Sequence, residues 1–193
     1  MIVEEAPTAR GPEHDVLPIT REGGFYSCAS GGLGHSLPAA VGVALAKRGC
    51  HVDITAFPVE DGEDAWPADE ALVRYLDSGA PPERVSISSD AGGCLPCFDG
   101  AGRITHMDVG HSGSLLETLK ALLARGVSLQ QALPAFTCNP AGLLRLPRKG
   151  RVAVGMDADL VVLDAAGDVR EVFAGGVAHV RAGAPVRRGM FEN

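Results

Sequence analysis

Val85-Ser-Ile-Ser-Ser-Asp-Ala-Gly-Gly93 runs from a β-rich stretch straight into a glycine turn, with one acidic side chain, Asp90, at the junction. In a (β/α) barrel the chemistry sits where strands end and the next loops begin. A carboxylate placed after Val85, Ile87 and two serines would therefore project into the active-site mouth. The two glycines let the backbone turn sharply or approach a ligand closely. The plainer alternative is that Asp90 opens a turn as an Asx residue.

Periodicity and punctuation around this stretch predict the flanking elements. Residues 1–23, rich in proline and scattered charge, read as a flexible lead-in. Leu37 to Lys47 reads as an alanine-rich helix with Pro38 in its first turn, ending at Gly49. Val52 to Phe57 is a short strand, with His51 at its start in a structural role. Pro67 to Ser78 is a helix closed by Gly79, with Ala71, Leu72, Tyr75 and Leu76 on one face. Val85 to Ser89 is a further strand, and a glycine-rich loop then leads to Gly113.

Leu115, Leu116, Leu119, Leu122 and Leu123 make an amphipathic helix stopped by Gly126. Ser128-Leu-Gln-Gln131 is a capping-box pattern, and Asn139-Pro140 is expected to cap another short helix carrying Leu143, Leu144 and Leu146. Beyond Gly150 the pattern changes to strands at Asp159–Leu163, Val169–Ala174 and Val177–Arg181. Gly175-Gly176 is a two-residue hairpin turn between the last two.

The net charge of −7 and pI near 5.3 argue against a nucleic-acid partner, which needs a basic face. Five cysteines at irregular spacing fit a reducing compartment better than a disulfide framework. Cys94-Leu-Pro-Cys97 reads as part of the loop after Asp90 and not as a redox or zinc half-site, since no second CxxC accompanies it. No apolar run reaches the ~18 residues a membrane span needs. The acidic, proline-containing N-terminus lacks a signal-peptide pattern. A cytoplasmic protein without a membrane partner is expected.

From Lys47 onward the chain resembles the amidohydrolase superfamily, and within it the isoaspartyl (β-aspartyl) dipeptidases. The resemblance rests on ALAKRGCHVDITAFP at 44–58, PPERVSISSDAGG at 81–93, FDGAGRITHMDVGHSGSLLETLKALL at 98–123 and FTCNPAGLLRLPRKGRVAVGMDADLVVLD at 136–164. It implies an α/β fold, the C-terminal fragment of a (β/α)8 amidohydrolase barrel followed by strands of the small β-domain. Residues 47–148 would hold the last barrel strands and helices, with Val52–Phe57 as the seventh strand and Val85–Ser89 as the eighth. Residues 149–193 would be the small β-domain, whose Val161, Val162 and Leu163 would carry unpaired edges. A barrel of this kind takes about 250 residues, so 193 cannot hold a complete one. Two barrel strands must pair differently or with another copy.

The resemblance also implies metal-assisted hydrolysis of an isoaspartyl dipeptide. Asp90 would be both a metal ligand and the catalytic proton carrier, with Gly93 and Cys94 at the substrate. Cys94 stands where the family commonly shows a serine, and a thiol is the weaker hydrogen-bonding partner. The family's binuclear zinc site also needs an HxH pair, a bridging carboxylated lysine and two more histidines. None of the six histidines, His14, His35, His51, His106, His111 and His179, forms an HxH, and His106 and His111 read as loop residues. The chain alone is expected to bind no zinc pair and to show no dipeptidase activity.

Gly23 to Ala46 resembles something else, the segment of thiamine-diphosphate decarboxylases related to benzoylformate decarboxylase that precedes their GDG motif. Gly31 and Leu33 would approach the cofactor there, but the GDG and its downstream Asn do not follow. The alternative is a simple glycine loop capping a buried helix. The two resemblances meet near Val43–Lys47, so the chain reads as a fusion of fragments with residues 1–46 as a distinct N-terminal part. Three functions follow: a truncated isoaspartyl dipeptidase, a non-catalytic remnant that forms homo-oligomers through exposed leucine faces and open strand edges, and a thiamine-diphosphate enzyme fragment.

Overall fold

Four short strands form a parallel sheet in the computed structural model, which describes residues 2–4, 25–27, 42, 44–59, 66–98 and 103–189. β1 (Ile2–Glu4), β2 (Phe25–Ser27), β3 (His51–Thr55) and β4 (Val85–Ser88) lie in the order β2-β1-β3-β4. Every pairing is parallel, with Ile2 opposite both Phe25 and His51, and Val52 opposite Val85. The lead-in expected at residues 1–23 is therefore corrected at its start, where Ile2–Glu4 is a central strand. This is how the two expected barrel strands find partners: the N-terminal part of the same chain extends their sheet.

Side chains alternate across a strand, so β3 and β4 each present two chemically different faces. Val52, Ile54, Val85 and Ile87 meet the helices, in a core with Leu72, Tyr75, Leu119 and Leu122. His51, Asp53, Ser86 and Ser88 occupy the other face. Leu72 and Leu122 are wholly buried, and each such side chain contributes about 1.5–3 kcal/mol of burial free energy.

α1 (Ala68–Asp77) buries Leu72 and Tyr75, and Asp69 and Glu70 in its first turn suit the positive end of the helix dipole. It ends where Gly79 takes a φ of 69°, a left-handed conformation that favours glycine. The Tyr75 hydroxyl donates to the Pro81 carbonyl at 2.9 Å, fixing the turn into β4. Burial, with Glu83 nearby, pushes that phenol up to about 12.

The glycine-rich loop expected between Asp90 and Gly113 is instead largely a hairpin. β5 (Cys94–Phe98) pairs antiparallel with β6 (Ile104–Val109), with Cys94 opposite Val109 and Cys97 opposite His106. Cys94 and Cys97 thus lie in a strand, three residues apart and on opposite faces. His106 likewise belongs to β6 and not to a loop.

α2 (Ser114–Ala124) follows and ends before Gly126, whose φ is 85°. Its leucine face is covered, because Leu119 and Leu122 are in the core and Leu115 packs against it. Leu123 at the end of this helix, and Leu129, Leu133 and Leu146 beyond it, are exposed, so the leucine exposure expected of the helix faces is reduced and not absent. Arg125 Nε lies 2.5 Å from Asp69 Oδ2, joining the end of α2 to the start of α1.

At α3 (Leu129–Ala132) the Ser128 backbone N–H and hydroxyl both donate to Gln131 Oε1, the expected capping box. At α4 (Cys138–Leu143) the N-cap position is Thr137 and not Asn139, and the Thr137 hydroxyl donates to the Leu133 carbonyl at 2.8 Å without capping the helix. The Asn139 amide is buried and donates to the carbonyls of Pro82 and Val85, at 2.7 and 2.8 Å, anchoring the entry to β4.

The chain divides into two compact units, Met1–Leu144 and Arg145–Asn193. The second is an antiparallel sheet in the order β10-β9-β8-β7, made of β7 (Leu160–Leu163), β8 (Val169–Ala174), β9 (Val177–Arg181) and β10 (Ala184–Pro185). Ala174 faces Val177 across Gly175 and Gly176, whose φ values of 56° and 79° are those of the expected two-residue turn. β7 is an outer strand, with Val161 and Val162 exposed.

Candidate active site at the end of strand β4

Asp90 stands two residues past β4, at the C-terminal edge of the parallel sheet. Its φ is 47°, a left-handed conformation that Asp adopts more readily than most residues. The Asp90 carbonyl accepts from the Gly93 backbone N–H at 2.8 Å, closing a four-residue turn with Gly92 at a φ of 85°. Positive φ at the third position is the signature of a type II turn and is why glycine suits residue 92.

Two other glycines make room for Asp90 itself. A β-carbon on Gly93 would lie 2.5 Å from Asp90 Oδ2, and one on Gly110 would lie 2.3 Å from the Asp90 carbonyl oxygen. The carboxylate therefore rests over the Cα of Gly93, and the backbone of Gly110 presses on the peptide behind it. Gly92 donates to the Gly110 carbonyl at 2.8 Å and Gly110 to the Gly93 carbonyl at 2.9 Å. The base of the β5–β6 hairpin is thus bonded to the Asp90 turn.

Beneath Asp90, the polar faces of β3 and β4 share a hydrogen-bond chain. Ser86 and Ser88 both donate to the Asp53 carboxylate, the second at 2.5 Å. A serine hydroxyl has one proton, so with Ser86 donating to Asp53, the His51 Nε2–H donates to Ser86 Oγ at 3.1 Å. Burial, reinforced by the nearby Arg84 charge, lowers the His51 pKa to about 4, so the ring is neutral at pH 7. His51 has the structural placement expected of it. Periodicity alone does not single out Asp53, Ser86 and Ser88, although the alternations His51-x-Asp53 and Ser86-x-Ser88-x-Asp90 carry the signal.

Of the other expected site residues, Gly93 is buried against Asp90, while Cys94 is exposed at the start of β5. Gly31 and Leu33, the thiamine-diphosphate candidates, lie outside the described residues. Among the described residues Asp90 belongs to no group of three side chains able to hold a metal ion; the one such group is Cys97, His106 and Asp108. The described residues around Asp90 thus offer one donor and do not by themselves fit a binuclear metal centre.

The model of the amidohydrolase family matches residues 45–183. A crystal structure of the β-aspartyl dipeptidase of Fervidobacterium islandicum, in complex with β-Asp-Leu dipeptide, superposes with a TM-score of 0.69 at 30% identity, over 79% of this chain and 38% of that one. A second structure of that enzyme gives 0.64 at 26% identity, over 78% and 36%. The N-acetylglucosamine-6-phosphate deacetylase of Thermotoga maritima shares the fold at 18% identity, with a TM-score of 0.51 over 68% of this chain and 39% of that one. The chain spans well under half the length of these relatives.

Proposed function

Because the chain belongs to the amidohydrolase family, with the expected partial barrel followed by small β-domain strands, we propose that it is the last-strand portion of a metal-dependent β-aspartyl dipeptidase, with Asp90 as its catalytic carboxylate. The observation supporting this reading is the position of Asp90 just past the C-terminal end of β4, in a turn where Gly93 lies against its carboxylate and Gly110 against its carbonyl.

Amide hydrolysis needs a group that takes a proton from the attacking water and returns one to the departing amine. A carboxylate at a strand's end, with backbone fixed on both sides, can do this without moving. In the family's complete site the same carboxylate is one of the metal's ligands, and Asp90 is assigned that position. Gly93 and Cys94 adjoin the substrate in this reading, and β-Asp-Leu, bound by the Fervidobacterium enzyme, is the model substrate.

Asp90 alone is worth a general base, about 10²–10⁴-fold, far short of an enzyme's full acceleration. The chain by itself is therefore expected to be inactive. The test is complementation: β-Asp-Leu hydrolysis is assayed for the chain alone and after co-expression with the barrel half of a β-aspartyl dipeptidase lacking its last strands. The expected result is turnover only in the pair, lost on Asp90→Asn. Turnover by the chain alone, or turnover in the pair that survives Asp90→Asn, would overturn the reading.

A second reading, a non-catalytic chain that pairs with its own copies, is favoured by one observation. Val161 and Val162 are exposed on the outer strand β7, which can template another strand. Light scattering on the same sample separates a monomer from an oligomer. The thiols of Cys50, Cys94, Cys97 and Cys138 fit a reducing compartment, and the cytoplasm is the assigned location. No helix among the described residues is long and apolar enough to cross a membrane.

A further inference from the structure

We propose that the β5–β6 hairpin binds one borderline divalent cation of the zinc class through Cys97, His106 and Asp108. This goes beyond the assignment of Asp90 and does not depend on it. Cys97 faces His106 across the two strands, and Asp108 lies two residues further along the same face of β6. Cys97 Sγ is 3.8 Å from Asp108 Oδ2, and His106 Nε2 is 3.5 Å from that same oxygen. One ligand atom from each of the three residues lies within 4.8 Å of the others. Tetrahedral zinc, with bonds of about 2.3 Å to sulfur and about 2.0 Å to nitrogen or oxygen, holds its donors about 3.3–3.7 Å apart. The hairpin presents its donors close to that spacing.

The neighbouring hydrogen bonds decide which imidazole nitrogen faces the ion. Thr105 Oγ1 donates its one proton to the Cys97 carbonyl at 3.1 Å. It can then only accept from His106 Nδ1–H, also at 3.1 Å. A neutral ring with its proton on Nδ1 turns the lone pair of Nε2 toward Asp108. That lone pair and the carboxylate repel unless a positive charge lies between them, either a second proton on the ring or a metal ion. A metal-bound imidazole is usually supported by a hydrogen bond from its other ring N–H to an oxygen acceptor, a part the Thr105 hydroxyl would play here.

Thiolate, imidazole and carboxylate together suit zinc better than magnesium or calcium, which prefer oxygen alone. His106 and Asp108 are more than half exposed, so solvent can reach a fourth, open position. Binding replaces the Cys97 thiol proton with the metal and releases that proton to solvent, so affinity falls as pH is lowered. The ion would also tie β5 to β6 next to the Gly92–Gly110 pair that fixes the Asp90 turn.

The test is titration of chelator-treated full-length chain with Co2+ and then Zn2+. One Co2+ per chain with a thiolate-to-cobalt charge-transfer band, displaced by Zn2+, is expected. Cys97→Ser should abolish the band, and His106→Gln or Asp108→Asn should weaken binding about tenfold or more. Cys94→Ser and Asp90→Asn should leave it unchanged, which separates this site from the proposed catalytic carboxylate. None of the altered side chains belongs to the core, so thermal melts of the variants should match the parent. Zn2+ should also slow proteolysis of the hairpin in the parent and not in Cys97→Ser. No band in the parent, a band that survives Cys97→Ser, or one lost on Cys94→Ser or Asp90→Asn would overturn the proposal.

Discussion

Val85 in β4 is 1% exposed, whereas Val161 in β7 is 62% exposed, although each is a β-branched residue in a strand of a four-stranded sheet. The difference separates the two units. In the first, helices cover one face of a parallel sheet, and every fully buried described side chain of the protein belongs to it. In the second, no described residue is fully buried, and its order comes from ladder hydrogen bonds, glycine turns and charge pairs. Identical residue types carry different meanings in the two, since burial and not propensity supplies most of the folding free energy.

The largest expected effect follows directly. Leu122→Ala, at a site with no exposure, should destabilise the first unit by about 2–5 kcal/mol, as emptied core positions do. Val154→Ala, at a fully exposed valine of the second unit, should cost within about 0.5 kcal/mol. Urea titration followed by circular dichroism checks both. Equal costs would mean that Val154 is packed against apolar surface and that burial does not separate the two units.

The glycines at Asp90 sharpen the comparison within the first unit. Gly110→Ala drives a methyl into the Asp90 carbonyl, a backbone atom, and should cost about 1–3 kcal/mol as well as displacing the turn. Gly93→Ala meets the carboxylate end of a side chain, which can rotate away. It should cost less stability while removing Asp90 from its position. Thermal melts separate the two, and in the complementation assay both should lower turnover. A Gly93→Ala variant with full complemented activity would break the link between this cradle and catalysis.

Much of the first unit is legible in the sequence because its elements are long and periodic. The α1 and α2 stripes recur at helical spacing and stop at Gly79 and Gly126, and β4 ends in its own acidic-to-glycine signal. β1 is three residues long, too short to show any period. The β5–β6 hairpin hides because Pro96 and the adjoining glycines look like loop punctuation, and proline within a run argues against a strand. The chain from His51 through Ser86 to Asp53 joins residues more than 30 positions apart, so only the pairing register reveals it. The position of Asp90 at the end of its strand is legible in the sequence; the close backbone approach of Gly110 is not, because it depends on the fold of the hairpin.

The His51 chain predicts a pH dependence specific to the first unit. The folded-state pKa of His51 is depressed to about 4 from 6.5, so the unfolded chain binds more protons between these values. Stability contributed by the neutral ring is full above pH 6.5 and is lost as pH falls toward 4. His51→Gln should flatten the urea midpoint across this window, leaving only the carboxylate contribution. An unchanged slope would place the titrating group elsewhere.

The smallest effect belongs to the charge cluster of the second unit. Lys149 Nζ pairs with Asp157 at 3.2 Å and with Asp159, while Arg148 pairs with Asp157 at 2.9 Å. Asp159 also accepts from the Gly175 backbone N–H at 2.6 Å, so it joins the Lys149 segment to the β8–β9 turn. Its hydrogen bond to Lys149 and then that to Gly175 lower the Asp159 pKa, so the stability it supplies is present above the ordinary carboxylate range and lost as pH falls below it. These groups meet water, so salt screens them. Lys149→Met should lower the melting temperature slightly at low ionic strength and hardly at all at high salt. Asp159→Asn should show a weaker salt response but a larger loss, because it weakens the bond to Gly175 as well. If Lys149→Met proved as costly as Leu122→Ala, charge pairing and not burial would be holding the second unit together, and the contrast between Val85 and Val161 would need a different explanation.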